Sequence, residues 1–233
     1  MNKKIAKRLV FAIITFFMCF ELSAVIQPAF AGSGHTKDTY RFRPKTTVDK
    51  RLHKRLIAKR ALKTAQLRQL ADHGDRLAAY RYAILLDGLQ SSRPDDVVHY
   101  YSMAASLGQV SAVGPLIGLI RLQYTQVSGA RLTNAKNALL HALALGNTDA
   151  MWALSVFYRD GKPFGLQGEA GRKLLQQAAD AGNVDAAFEL AVLMTTPKSE
   201  VSDHVIAQHY LEIAAESGNL VAKSLMSAQE NSQ

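Results

Sequence analysis

The sequence predicts an all-α, right-handed solenoid of helix–turn–helix repeats, and three observations carry that prediction. A glycine recurs with an alanine four residues later: Gly74/Ala78, Gly108/Ala112, Gly146/Ala150, Gly182/Ala186 and Gly218/Ala222. Successive glycines lie 34, 38, 36 and 36 residues apart, a regularity that no single globular core demands. Small residues run up to the last four of them, in Ala104-Ala105, Ala142, Ala178-Ala179 and Ala214-Ala215. A period of this length marks stacked helical hairpins, none of which can bury its apolar face without its neighbours.

The chain opens with an export pattern. Lys3, Lys4, Lys7 and Arg8 precede the apolar run Leu9 to Phe20, and Gln27-Pro28-Ala29-Phe30-Ala31-Gly32 supplies an A-x-A site. Residues 1–31 therefore read as a cleavable signal peptide. An uncleaved anchor would need ~20 apolar residues to span a bilayer, and this run stops at Glu21. Cys19, the sole cysteine, lies inside the signal and lacks the small residues of a lipoprotein site. Without cysteine the mature chain has no disulfide framework, so packing alone must hold it. The expected compartment is the bacterial periplasm.

Residues 32–47 are polar with Gly, Pro and Thr and read as a disordered leader. From Val48 to His73 no glycine or proline intervenes, and Leu52, Leu56, Leu67 and Leu70 give an apolar face. Residues 48–73 are therefore expected to form one basic N-terminal capping helix. The repeats follow at about 74–107, 108–145, 146–181 and 182–217, with a C-terminal capping helix at 218–229; together they are expected to bury a continuous core.

Each repeat follows one plan. The glycine permits a left-handed residue where a β-carbon would clash. The first helix then carries its alanine, often an aromatic at the sixth place (Tyr80, Trp152, Phe188), and an apolar or aromatic residue at the eighth (Tyr82, Leu116, Leu154, Leu190). A loop and a second helix complete the unit. The second repeat departs from the plan: Gly114-Pro115 and Gly118 lie in its first helix, where proline kinks a helix or delays its start. The third carries a glycine-rich loop from Asp160 to Gly168, with Phe164 expected to pack over the adjacent hairpin.

The strings LADHGDRLAAYRYAILLDG, AASLGQVSA, ALALGNTDAMWALSVFYRDG, AADAGNVDAAFELAVLM and AAESGNLVAKSL resemble Sel-one-like repeats, relatives of the tetratricopeptide repeat. The resemblance covers about residues 70–228. It implies a helix–turn–helix unit of about 36 residues with an Ala-Ala-x-x-Gly junction. It also implies a non-catalytic protein that holds another envelope or periplasmic protein in secretion, exopolysaccharide or signalling machinery.

Catalytic patterns are missing. The glycine-rich loop lacks G-x-G-x-x-G and a Lys-Ser/Thr pair, and it follows a helix. Neither G-x-S-x-G nor S-x-x-K occurs. The seven histidines read as scattered and solvated, with no zinc set, and no cofactor is implied. The aromatics sit on repeat positions and read as core. Binding residues are sought instead at variable places of the first helices, on the concave face: Arg81, Arg121, Met151, Arg159 and Glu189. Arginine forks there suit carboxylates.

Charge supplies the second candidate site. Residues 32–63 hold eleven Lys or Arg against Asp38 and Asp49, while residues 64–233 hold thirteen basic and sixteen acidic side chains. Arg51, Arg55, Lys59 and Lys63 step by four along the expected capping helix, with Lys54 beside them. Like charges at that spacing oppose each other by about 0.2–0.5 kcal/mol per pair. An anionic cell-wall polymer or membrane surface would offset that cost. Nucleic acid is electrostatically suitable but belongs to another compartment.

Overall fold

Five glycines with left-handed backbone divide the chain into stacked hairpins. The computed structural model describes residues 40–89, 92–195 and 201–230, all within one compact unit, Asp38–Gln233. Among the described residues there are eleven α-helices and no strand. A leading pair, α1 (Thr47–Ile57) and α2 (Thr64–Asp72), precedes the first repeat. The repeats are α3 (Arg76–Asp87) with α4 (Pro94–Ser106), and α5 (Val113–Gln123) with α6 (Gly129–Ala144). Then come α7 (Thr148–Asp160) with α8 (Gly168–Asp180), and α9 (Val184–Met194) with α10 (Val201–Glu216). The last helix is α11 (Leu220–Glu230). Every substantial packing contact joins helices that are consecutive or one apart in chain order. That is the quasi-one-dimensional arrangement of a solenoid.

The junctions show why glycine and alanine recur four apart. Gly74, Gly108, Gly146, Gly182 and Gly218 all have φ between +82° and +104°. At Gly146 the amide donates to Leu143 O and the next amide, of Asn147, to Ala142 O, at 2.8 and 3.0 Å. This double closure caps the helix C-terminus, and the other four junctions repeat it residue for residue. The residue after the glycine then opens the next helix. Side chains of Asp75, Asn147, Asn183 and Asn219 accept from the amides of Ala78, Ala150, Ala186 and Ala222 at 2.8–3.1 Å. Those alanines are fully buried, so the recurring pair marks two helix ends joined through a single capping residue.

The second repeat shows what happens without that cap. Gln109 takes the capping place, makes no side-chain bond there, and a 3₁₀ turn, Val110–Ala112, intervenes. Helix α5 starts late, at Val113, which leaves Pro115 in its first turn, where no amide partner is needed. The proline accordingly delays the helix instead of kinking it. A second 3₁₀ turn, Tyr124–Gln126, closes α5 where the usual glycine is missing.

Two expectations fail. Residues 48–73 do not form one helix. Helix α1 ends at Ile57, Lys59 takes φ +55°, and the Arg60 amide turns back onto Arg55 O at 2.9 Å. Folding back lets α1 and α2 bury Leu52, Leu56, Leu67 and Leu70 against each other's surroundings, where a single rod would leave some of them wet. The core runs on through two clusters that meet at Leu143, which packs against both. One buried cluster runs from Leu52 to Tyr158, and a second joins Met151 to residues from Leu175 to Ala222. Helix α8 crosses α7 almost backbone to backbone: a β-carbon on Gly171 would lie 2.9 Å from Ser155 O and 2.8 Å from Arg159 Cγ. Residues 1–39 lie outside the described residues, and the rest of the expected disordered leader is a correction: Tyr40 Oη donates to Gly74 O, Thr46 caps α1 and Thr47 begins it.

Candidate functional site

Three successive first helices are strapped together by one run of side chains. Trp152 lies on α7 at the sixth place after Gly146, where an aromatic faces the next hairpin. Its Nε1 donates to Glu189 Oε2 on α9 at 3.0 Å. Glu189 Oε1 accepts from Arg159 Nη2, one repeat back on α7. On the other side of the indole, the Arg121 guanidinium of α5 sits 5.2 Å from the ring centroid. Register explains the meeting. Arg121 and Arg159 each stand thirteen residues after their glycines, Glu189 seven after its own, so the long cation of one unit reaches the next.

The run gathers three of the five first-helix candidates. Arg121, Arg159 and Glu189 come together, with Arg121 exposed and the other two about three quarters buried or more. Arg159 Nη1 is buried and makes no hydrogen bond. Arg81 lies half-buried on α3, outside this run. Met151 is a correction: it is 5% exposed, because the fifth place after the glycine is a core position, shared with Ala79, Val113 and Ala187. It belongs to the core of the second cluster. Phe164 packs edge-on against Phe157 of its own hairpin at 5.2 Å, and from the preceding hairpin Lys136 Nζ lies 5.9 Å from its ring centroid.

The basic stripe is also corrected. Arg51, Lys54 and Arg55 are exposed on α1, but Lys59 lies in the turn after it and Lys63 caps α2. Arg55 Nη2 donates to Ala61 O at 2.9 Å and so helps hold the turn. The four-step row therefore does not share one helix face.

Sequence reasoning missed a buried polar knot at the same end. Asp49 is fully buried and accepts from the Thr46 amide, Gln69 Nε2 and His73 Nδ1, each at 2.9 Å. Burial alone would raise its pKa, but bonds from Thr46, Gln69 and His73 outweigh burial and leave the carboxyl below its usual value. Asp75, 1% exposed, caps α3 and meets His53 Nδ1 at 2.5 Å. Two acid–imidazole pairs thus cross between α1 and the α2–α3 junction. His99 is likewise partnered, taking a bond from Arg131 Nη1 at 2.7 Å. Burial, then the Arg131 charge, holds its pKa below the ordinary value. The available signal was the i, i+4 pair Asp49/His53 facing His73 and Asp75 astride Gly74.

Among the described residues no group of three potential metal ligands occurs, and no described helix is long and apolar enough to cross a membrane. No protein-family model and no curated protein matches the sequence. Solved structures do. A Sel1 repeat protein from Oxalobacter formigenes superposes with a TM-score of 0.53 at 22% identity, over 68% of this chain and 46% of that one. The protective antigen c5321, present in uropathogenic Escherichia coli strains and displaying an SLR fold, gives 0.52 at 21% identity, over 70% and 35%. The chain thus spans less than half the length of either relative. Its fold is the all-α solenoid of Sel1-like repeats.

Proposed function

We propose that the chain is a non-catalytic scaffold or regulator that holds another protein on the face formed by its first helices. Export through residues 1–31 would place it in the periplasm, where secretion, exopolysaccharide and envelope-signalling assemblies are the kinds of partner its repeats suit. The observation that carries this reading is the strapped run on α5, α7 and α9. It fixes an exposed arginine over a tryptophan on a surface spanning three repeats, and Arg and Trp are the residues most often found to dominate protein interfaces.

A pull-down from envelope extract tests it. Arg121→Glu is expected to lose the captured partner, while Arg172→Glu, exposed on the second helix α8, retains it. Equal capture by both variants overturns the reading. A reporter fused after residue 31 tests export: activity confined to the cytoplasm would remove the periplasmic assignment. The split of the basic stripe leaves an anionic polymer or membrane surface without the continuous helix face that reading required.

A further inference from the structure

The basic segment does something more specific than present a charged surface. Residues 40–44, α1 and the start of α3 border an open cavity of about 530 Å³, within the ~300–1,000 Å³ range of small-ligand pockets. Arg41, Lys50, Lys54 and Arg76 line it, together with the apolar walls of Phe42 and Ile57. Phe42 packs at a 46° tilt against His53 with ring centroids 4.8 Å apart, which gives the cavity an aromatic wall. Arg76 lies over the Tyr40 ring at 5.4 Å and reaches Leu107 O, which holds its charge at the rim.

Asp75 is the one carboxylate lining this cavity, and its charge is already spent inside the protein. Its Oδ1 accepts from the amides of Leu77 and Ala78, and its Oδ2 meets His53. Arg41, Lys50 and Lys54 are exposed and form no ion pair with any carboxylate among the described residues. Three cations without an ion pair among the described residues therefore line a concave, partly aromatic space whose one lining carboxylate, Asp75, is committed to His53 and the α3 amides. A flat bilayer would not enter such a space, whereas an extended peptide segment would.

We propose that this cavity binds a carboxylate carried beside an aromatic side chain, as an acidic segment of a protein partner would present it. The site is separate from the strapped run on α5, α7 and α9 and stands without it. The probe is the peptide acetyl-Glu-Phe-Glu-amide, titrated calorimetrically into the full chain, with acetyl-Gln-Phe-Gln-amide and inorganic phosphate as comparators. Saturable binding of the acidic peptide alone is expected. Lys50→Gln/Lys54→Gln weakens it roughly tenfold, the loss of about 1.4 kcal/mol of attraction. Arg51→Gln/Arg60→Gln removes the same charge outside the cavity and leaves affinity within about twofold, because exposed charges away from a site add little. Arg121→Glu also leaves it unchanged, which keeps this result distinct from the scaffold test. Absence of binding, equal loss in both double variants, equal binding of the amide peptide, or equal displacement by phosphate each overturns the proposal.

Discussion

Trp152 and Glu189 stand 37 residues apart in sequence and meet through a 3.0 Å hydrogen bond between consecutive repeats. The same carboxylate holds Arg159, whose side chain is 19% exposed. Glu189→Ala strands both partners, and hydrogen bonds involving charged groups contribute about 1.5–3 kcal/mol. A destabilisation in that range is expected in urea unfolding, with a shift in emission of Trp152, the chain's single tryptophan. A change under about 0.5 kcal/mol would reduce the strap to an ordinary surface pair.

Gly171 is required for space, not for backbone conformation. Its β-carbon position is occupied by the backbone of α7, which has nowhere to retreat. Gly171→Ala is expected to cost about 1–3 kcal/mol by overpacking. Gly168→Ala, three residues earlier with nothing within 4 Å, is the internal comparison and should not destabilise. Parallel thermal melts decide the matter; matched losses would mean the crossing has slack.

Gln109 interrupts a cap that four other junctions share. Gln109→Asn restores the shorter side chain that reaches the third amide. A gain of about 0.5–1 kcal/mol is expected from adding such a cap. Amide exchange of residues 110–114 should slow in step. No change in protection would show that the 3₁₀ turn is set by Gly114-Pro115 instead.

Stability should fall at both ends of the pH scale, for identifiable reasons. The Asp49 carboxyl is held below its ordinary value when folded, so on acidification the unfolded chain takes up its proton first. The stability it contributes is present above the unfolded pKa and drains as pH drops through the folded one. At the other end, burial and then the bond to Asp72 push Tyr100 up to about 12; burial and then Asp180 do the same for Tyr210. Their contribution is complete below pH 10.0, the ordinary tyrosine value, and is lost as pH rises towards 12. Urea midpoints against pH should show the acid limb flattened in Asp49→Asn and the alkaline limb flattened in Tyr100→Phe/Tyr210→Phe. Unchanged limbs would assign the pH response to other groups.

The repeats were legible because their joints are local. Gly and Ala four apart register a helix end and a helix start within a few residues, whatever the rest of the chain does. Tyr100 with Asp72, and Tyr210 with Asp180, show how far that register could have been pushed: each tyrosine stands eight residues before its glycine and each aspartate two before the preceding one. Met151 was misplaced because methionine reads as variable beside the alanines that hold the same core place elsewhere. The break between α1 and α2 was invisible for a different reason. Neither glycine nor proline marks it; a lysine adopts the left-handed turn, and the fold-back is rewarded only by long-range partners, Asp49 with Gln69 and His73. Such rewards cannot be read from spacing.

Because every joint is completed by bonds among fewer than a dozen consecutive residues, a whole hairpin could be copied or deleted without disturbing the clasp on either side. Length is therefore an evolvable quantity in this architecture, adjustable in steps of one unit. Reach towards a distant partner can change by duplication of a short stretch of gene, while the chemistry of each existing rung stays as it was.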